Sequence, residues 1–188
     1  AVVEYAFAAL DALAWRWGVC HLEIIWAAGK GRGGVGSGPV LIEANAGRWN
    51  GDDFSLVSKV CTGFEAIEAT LDAFLDPQAW DRVPTQPPQA LHGHGRLVNL
   101  VSSVSGCLAQ APAQAHAEAL AALPSLIRFE PNPGREGEEV VQTIDLNSRA
   151  GLAYLLHEKA TVVERDYRAL RDLQPRLFEV MQPGGRAK

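Results

Sequence analysis

The stretch HLEIIWAAGKGRGGVGSGPVLIEAN, residues 21–45, decides the fold. Both of its flanks alternate in a period of two, the pattern of strands whose successive side chains point to opposite faces. Residues 19–26 read as one strand, 39–46 as the returning strand, and 27–38 as a glycine-dense connection. On the first strand His21, Glu23 and Ile25 share a face, and Leu22, Ile24 and Trp26 share the other. On the second, Leu41, Glu43 and Asn45 share a face, and Val40, Ile42 and Ala44 take the opposite one. An antiparallel hairpin centred on Gly33 then places Ile25 opposite Leu41, Glu23 opposite Glu43 and His21 opposite Asn45. Two carboxylates would face each other across the ladder at roughly 5 Å between Cβ atoms. Like charges so placed repel, and a hard divalent cation reverses the sign. Two carboxylates and an amide oxygen are donors suited to Mg²⁺, which keeps its other positions for water and phosphate. The alternative reading is a solvated hairpin face with two ordinary glutamates.

The connection itself contains Gly31, Gly33 and Gly36, a match to GxGxxG. A dinucleotide fingerprint needs a helix directly after the glycines to receive a pyrophosphate. Pro39 and an alternating run follow instead. The P-loop pattern also fails, because Lys30 precedes the glycines and no Gly-Lys-Ser/Thr closes them. The segment is read as a flexible hairpin connection.

Outward from the hairpin, Val2, Val3, Tyr5, Ala6, Ala9, Leu10, Leu13 and Ala14 recur at helical spacing and predict a helix over 2–16, closed near Gly18. Two helices are expected downstream, at 52–60 and 64–75, separated by Thr62-Gly63 and ended by Asp76-Pro77. Asp52 and Asp53 are read as caps of the first. Trp15, Trp17 and Trp26 are assigned to the core, and Trp49, beside Arg48, to the wall of a substrate pocket. Residues 83–93 are rich in proline and polar residues and read as a linker that includes His92; neither His92 nor His94 is read as a metal ligand. Beyond it, strands are expected at 96–104 (continuing at Cys107-Leu108), 126–130, 140–144, 151–157 and 177–180, with helices at 113–122 and 160–173. Arg165, Arg168 and Arg171, with Glu164 and Asp166, read as a solvated helix face. The fold class is α+β: an antiparallel sheet with packed helices over 1–82, the linker, and a small β-rich module over 94–182.

Composition closes off several function classes. With 17 basic against 22 acidic residues the chain has no basic footprint for nucleic acid. No run approaches the ~20 apolar residues of a membrane span. Cys20, Cys61 and Cys107 are an odd set without CxxC, which argues against a disulfide framework or a zinc site and for a reducing, cytoplasmic compartment. The chain begins at Ala1 and its one methionine is Met181, so a processed chain or a fragment is expected.

Glu23, then Glu43-Ala44-Asn45, then Arg48 resembles the metal-binding end of the ATP-grasp ligases. Gly18 with His21-Leu22-Glu23 looks like that family's approach to its first metal-binding strand. Gly51 to Phe54, Thr62-Gly63, and the stretch from Gly95-Arg96-Leu97 to Arg149-Ala150-Gly151 are similar to its carboxylate–amine and amino-acid ligase branch. Family members place the arginine two residues after the asparagine; here Ala46 and Gly47 intervene. The resemblance implies that Glu23, Glu43 and Asn45 bind Mg²⁺ or Mn²⁺ with ATP as co-substrate. It also implies that Arg48 clamps a phosphoryl group or a substrate carboxylate. The reaction implied is a ligation of a small carboxylate to an amine through an acyl phosphate. The family carries its nucleotide clasp ahead of these motifs, so the chain is expected to be the C-terminal part of a longer enzyme. Two further readings stay open: a non-catalytic structural or interaction module with the same fold, and an oxidoreductase built on GxGxxG, which needs a helix over 37–46. The substrates, the role of Arg149 and the oligomeric state, a homodimer included, are not specified by the sequence.

Overall fold

In the computed structural model of the protein, which describes residues 1–29, 37–49 and 54–181, the chain divides into two units. The first comprises Ala1–Leu56 and Phe64–Gln89; the second comprises Val57–Gly63 and Ala90–Lys188. Both mix helices with antiparallel sheet.

The first unit begins with α1 (Val2–Ala12), shorter than the periodicity predicts. Ala14 turns into the left-handed region at φ 54, and the N–H of Trp15 reaches back to the carbonyl of Leu10 at 2.9 Å. Those two features close the helix as a Schellman-type turn does, without waiting for Gly18. The strands β1 (Cys20–Ala27) and β2 (Gly38–Ala46) pair antiparallel. His21 pairs with Asn45 and Glu23 with Glu43, as the alternation predicts. Ile25 pairs with Val40 rather than Leu41, because the register shifts between Glu23 and Ile24 and leaves Ile42 as an extra residue. The glycines of the GxGxxG match lie outside the described residues. β2 occupies the stretch where a dinucleotide site would need a helix, which removes the oxidoreductase reading.

The helix α2 (Ser55–Thr62) starts later than expected, and Asp52 and Asp53 lie outside the described residues. The helix α3 (Ala66–Leu75) is capped by Glu65, whose carboxylate accepts from the N–H of Ile67 and Glu68 at 3.1 and 2.9 Å. Asp76-Pro77 ends α3 and also starts α4 (Pro77–Trp80), an element that the sequence reading missed. Asp76 accepts from the N–H of Ala79 at 3.0 Å, and proline suits the first helical position because its missing N–H is not needed there. Among the described residues of this unit only Ala69 is buried, and the assignment of the tryptophans to a core is corrected accordingly. Trp17 is 84% exposed and Trp26 55%, because a two-stranded sheet on which the short helix α1 packs offers too little surface to enclose them.

The second unit is built on a three-stranded antiparallel sheet. The strands β3 (His94–Asn99) and β5 (Leu126–Pro131) flank β7 (Gly151–His157). β4 (Gly106–Cys107) and β6 (Glu139–Val140) form a separate short pair. Residues 151–156 are buried throughout, so β7 reads as a continuous apolar run. The 14-residue helix α7 (Ala160–Leu173) packs on β3 and β7 through Val163 and Leu170, which join Val98, Leu100 and Leu155 in the core. Each such side chain contributes about 1.5–3 kcal/mol by leaving water.

Four expected elements differ here. β3 stops at Asn99 because β7, its partner, begins at Gly151; one more exchange, between Leu100 and the Ala150–Gly151 backbone, extends the ladder. The helix expected over 113–122 is two short ones, α5 (Pro112–Ala115) and α6 (Ala117–Ala121), because His116 leaves the helical region at φ −117. Its ring nitrogen is instead 2.9 Å from the carbonyl oxygen of Arg176. Residues 141–144 are not strand: the N–H of Gln142 and of Ile144 donate to the hydroxyls of Ser105 and Ser148. Residues 177–180 follow a 3-10 turn (Gln174–Arg176) and keep only the isolated bridge Leu108 to Val180.

The solvated-face reading of α7 is corrected at Asp166, which is 1% exposed. The N–H and hydroxyl of Ser125 donate to its Oδ2 at 2.8 and 2.7 Å, and Arg165 donates two bonds to its Oδ1. The Ser125 carbonyl accepts from Leu156 on β7 at 2.7 Å, so one loop residue ties helix to sheet. Burial pushes the Asp166 carboxyl up, but the hydrogen bonds from Ser125 and Arg165 outweigh it and hold the group below its ordinary value. Glu164 does stay at the surface, between Arg96 at 2.6 Å and Arg168 at 3.1 Å.

Two outcomes follow from these contacts. Gly151 sits at φ +118, and a Cβ there would collide with the carbonyl oxygen of Glu130 and lie 2.7 Å from Pro131 Cα. Gly151→Ala should therefore cost about 2 kcal/mol or more, read as a lower urea midpoint. Because its folded pKa is depressed, Asp166 contributes stability that is whole above the ordinary carboxylate range and is lost as pH falls through the lowered folded value. Asp166→Asn should cost about 1–3 kcal/mol at pH 7, and urea titrations from pH 7 down to pH 2.5 should show the gap to wild type closing.

Candidate functional site

The candidate site is the end of the β1–β2 ladder formed by Cys20–Glu23 and Glu43–Ala46. Because Glu23 and Glu43 are directly paired, both carboxylates rise from one face, at the ~5 Å Cβ spacing of cross-strand neighbours. Both side chains are exposed. Asn45, two residues on, shares that face, and its Nδ2 donates to Glu43 Oε1. That bond leaves the amide oxygen of Asn45 outside it. His21, half-buried, pairs with Asn45. The hairpin therefore brings Glu23, Glu43, Asn45 and His21 together on one surface.

The donor chemistry suits a hard cation. Two opposed carboxylates repel in its absence, and a bound divalent ion would remove that repulsion. Among the described residues no group of three or more His, Cys, Asp or Glu is placed to hold a metal. The expected set has only two such residues, with an amide as third donor, and Mg²⁺ is commonly held through one or two carboxylates plus phosphate and water.

Arg48 lies beyond the end of β2 and is exposed. Gly47 precedes it at φ +81, a turn that suits glycine, with its N–H on the Val19 carbonyl at 2.8 Å. Trp49 is half-buried, and its indole N–H donates to Thr70 Oγ1 on α3 at 3.3 Å.

One residue near the site was passed over in the sequence. Tyr5, on α1, reads in the sequence only as part of a helix face, yet its hydroxyl accepts from the N–H of Leu41 at 3.0 Å. A period-based reading does not show which backbone group a phenol will reach 36 residues away. The second unit also holds an open cleft of about 620 Å³, lined by Glu130, Asn132, Asn147 and Arg149 among others. Asp145, next in sequence to the cleft residue Leu146, accepts from both the hydroxyl and the N–H of Ser148, bonds that hold its carboxyl below the usual value.

No protein-family model matches the sequence, and no curated protein matches it. Solved structures do. The L-amino acid ligase from Bacillus licheniformis superposes with a TM-score of 0.66 at 17% identity, over 92% of this chain and 40% of that one. The phosphoribosylglycinamide synthetase from Anaerococcus prevotii superposes with a TM-score of 0.60 at 13% identity, over 90% of this chain and 39% of that one. The chain thus spans about two-fifths of the length of these structures. At such identities the likeness is one of fold. Among the described residues no helix is long and apolar enough to cross a membrane. In its fold the chain is similar to a part of each of these two structures, both of them ATP-grasp ligases.

Proposed function

We propose that the chain is part of an ATP-dependent carboxylate–amine ligase and supplies the strand pair that binds its magnesium. The observation that carries this reading is the direct pairing of Glu23 with Glu43, with Asn45 bonded to Glu43 on the same exposed face. Opposed carboxylates are a local cost to a hairpin, and a cost retained at one place in a fold suggests a site. The names of the structural neighbours support ligation, and one of them an amino-acid substrate.

On this reading Glu23, Glu43 and Asn45 would hold Mg²⁺ or Mn²⁺. The ion, when bound, neutralises phosphate oxygens of ATP. The overall reaction joins a small carboxylate and an amine at the expense of ATP, by way of an acyl phosphate. This chain's own contributions are electrostatic and positional. The carboxylates would orient the cation–nucleotide complex over the hairpin face. Arg48, with its planar guanidinium, would hold the transferring phosphoryl group or the substrate carboxylate in two parallel bonds. The rest of the nucleotide clasp belongs to the longer enzyme of which the chain would be a part.

The sign of one substitution separates this reading from a non-catalytic module. Without a divalent cation, Glu43→Gln should raise hairpin stability by a few tenths of a kcal/mol, roughly the cost of a like-charge cross-strand pair. With Mn²⁺ the order should reverse: wild type gains thermal stability and the variant does not. Mn²⁺ titration followed by electron paramagnetic resonance should show binding at least about tenfold weaker in Glu23→Ala and Glu43→Ala. Equal binding by wild type and both variants, or none by wild type, would remove the cation site and favour the module. In the complete enzyme Glu43→Ala should abolish ATP turnover.

A further inference from the structure

The carboxylate pair depends on one irregularity in the ladder. Inside it, from Cys20–Ala46 to Glu23–Glu43, one register holds; outside it, from Ile24–Leu41 to Ala27–Gly38, the register is one residue different. Ile42 is the residue that makes up the difference. If the outer register ran on through the site, Glu23 would face Ile42, Glu43 would face Leu22, and Asn45 would face Cys20. A slip of one residue sends every side chain of a strand to the other face. Glu43 and Asn45 would then leave Glu23 alone on its surface. The position of the bulge therefore decides whether the site exists.

A bulge interrupts the ladder locally and leaves backbone groups that need other partners. Leu41 is the first residue of the outer register, next to Ile42, and its N–H donates to the hydroxyl of Tyr5 at 3.0 Å. Tyr5 is half-buried on α1, which packs on β1 and β2. Its hydroxyl is the side-chain acceptor placed beside the irregularity, and it comes from a different element. A bulge pinned from outside the ladder cannot migrate without breaking that bond.

We propose that Tyr5 is a positioning residue: through Leu41 it holds the bulge at Ile42 and so keeps Glu23 and Glu43 on one face. The value of that pairing to the protein rests on the cation-site reading above, but the pairing itself can be measured without a cation.

The test uses the 188-residue chain, isotopically labelled, with wild type, Tyr5→Phe and Tyr5→Phe with Ile42 deleted. Nuclear magnetic resonance reads the cross-strand contacts Glu23 to Glu43 and His21 to Asn45, together with exchange of the Leu41 amide. Tyr5→Phe should weaken both contacts, introduce a contact from Glu23 to Ile42, and speed Leu41 exchange roughly tenfold or more. Mn²⁺ affinity on the same samples should fall about tenfold. Deleting Ile42 leaves one continuous register with Glu43 opposite Glu23, so it should restore the contacts and the affinity although the phenol is still missing. A loss of general stability would not be rescued by that deletion. Retention of both contacts in Tyr5→Phe, or their loss in both variants alike, overturns the proposal. If Tyr5→Phe loses the contacts while wild type binds no Mn²⁺, the positioning role stands and the cation reading falls.

Discussion

A strand has only two faces, and the rest of both units depends on how that constraint is met. In β1 and β2 one face carries the polar set, so the pairing of backbone groups decides which carboxylates meet. In β7 residues 151–156 are all buried, so its alternation disappears and the strand becomes the centre on which β3, β5 and α7 assemble. The same geometry thus yields an exposed chemical surface in one unit and a core in the other. Gly151 marks the start of that core strand, where the backbone of Glu130 and Pro131 comes too close for any side chain.

The carboxylates divide along the same line. Asp166 is taken out of water and fully compensated: Ser125 supplies two donors and Arg165 a charged pair. A buried charge is tolerated only on such terms. Glu23 and Glu43 are the opposite case, exposed and set against each other, with Asn45 donating to only one of them. The first arrangement is satisfied by the protein itself. The second has acceptor capacity left over, which is what a cation site requires.

Much of this was legible along the chain. The alternation around Glu23 and Glu43 predicts their pairing, and the continuous run GLAYLLH predicts β7, because period-two patterns are written in adjacent residues. The boundaries of α7 follow from its 3.6-residue spacing in the same way. The failures share a different cause. Asp166 reads as one more charge on a helix face until Ser125, 41 residues earlier, is seen to enclose it. Trp17 and Trp26 read as core because they are large and apolar, yet burial depends on what other elements arrive to cover them.

The sequence by itself determined the α+β class, the hairpin, the face that Glu43 shares with Asn45, and the likeness to one ligase family. The first three follow from short-range rules (strand period, helix period, glycine and proline at turns), and the likeness rests on the motif of Glu23, Glu43-Ala44-Asn45 and Arg48. Only the tertiary structure decided where the bulge falls, that Ile42 rather than the connecting loop absorbs the register difference, and that Tyr5 reaches Leu41. It alone placed Asp166 in the core. A bulge and a buried carboxylate are both choices between local arrangements of similar energy. Such choices are made by contacts that arrive from far along the chain.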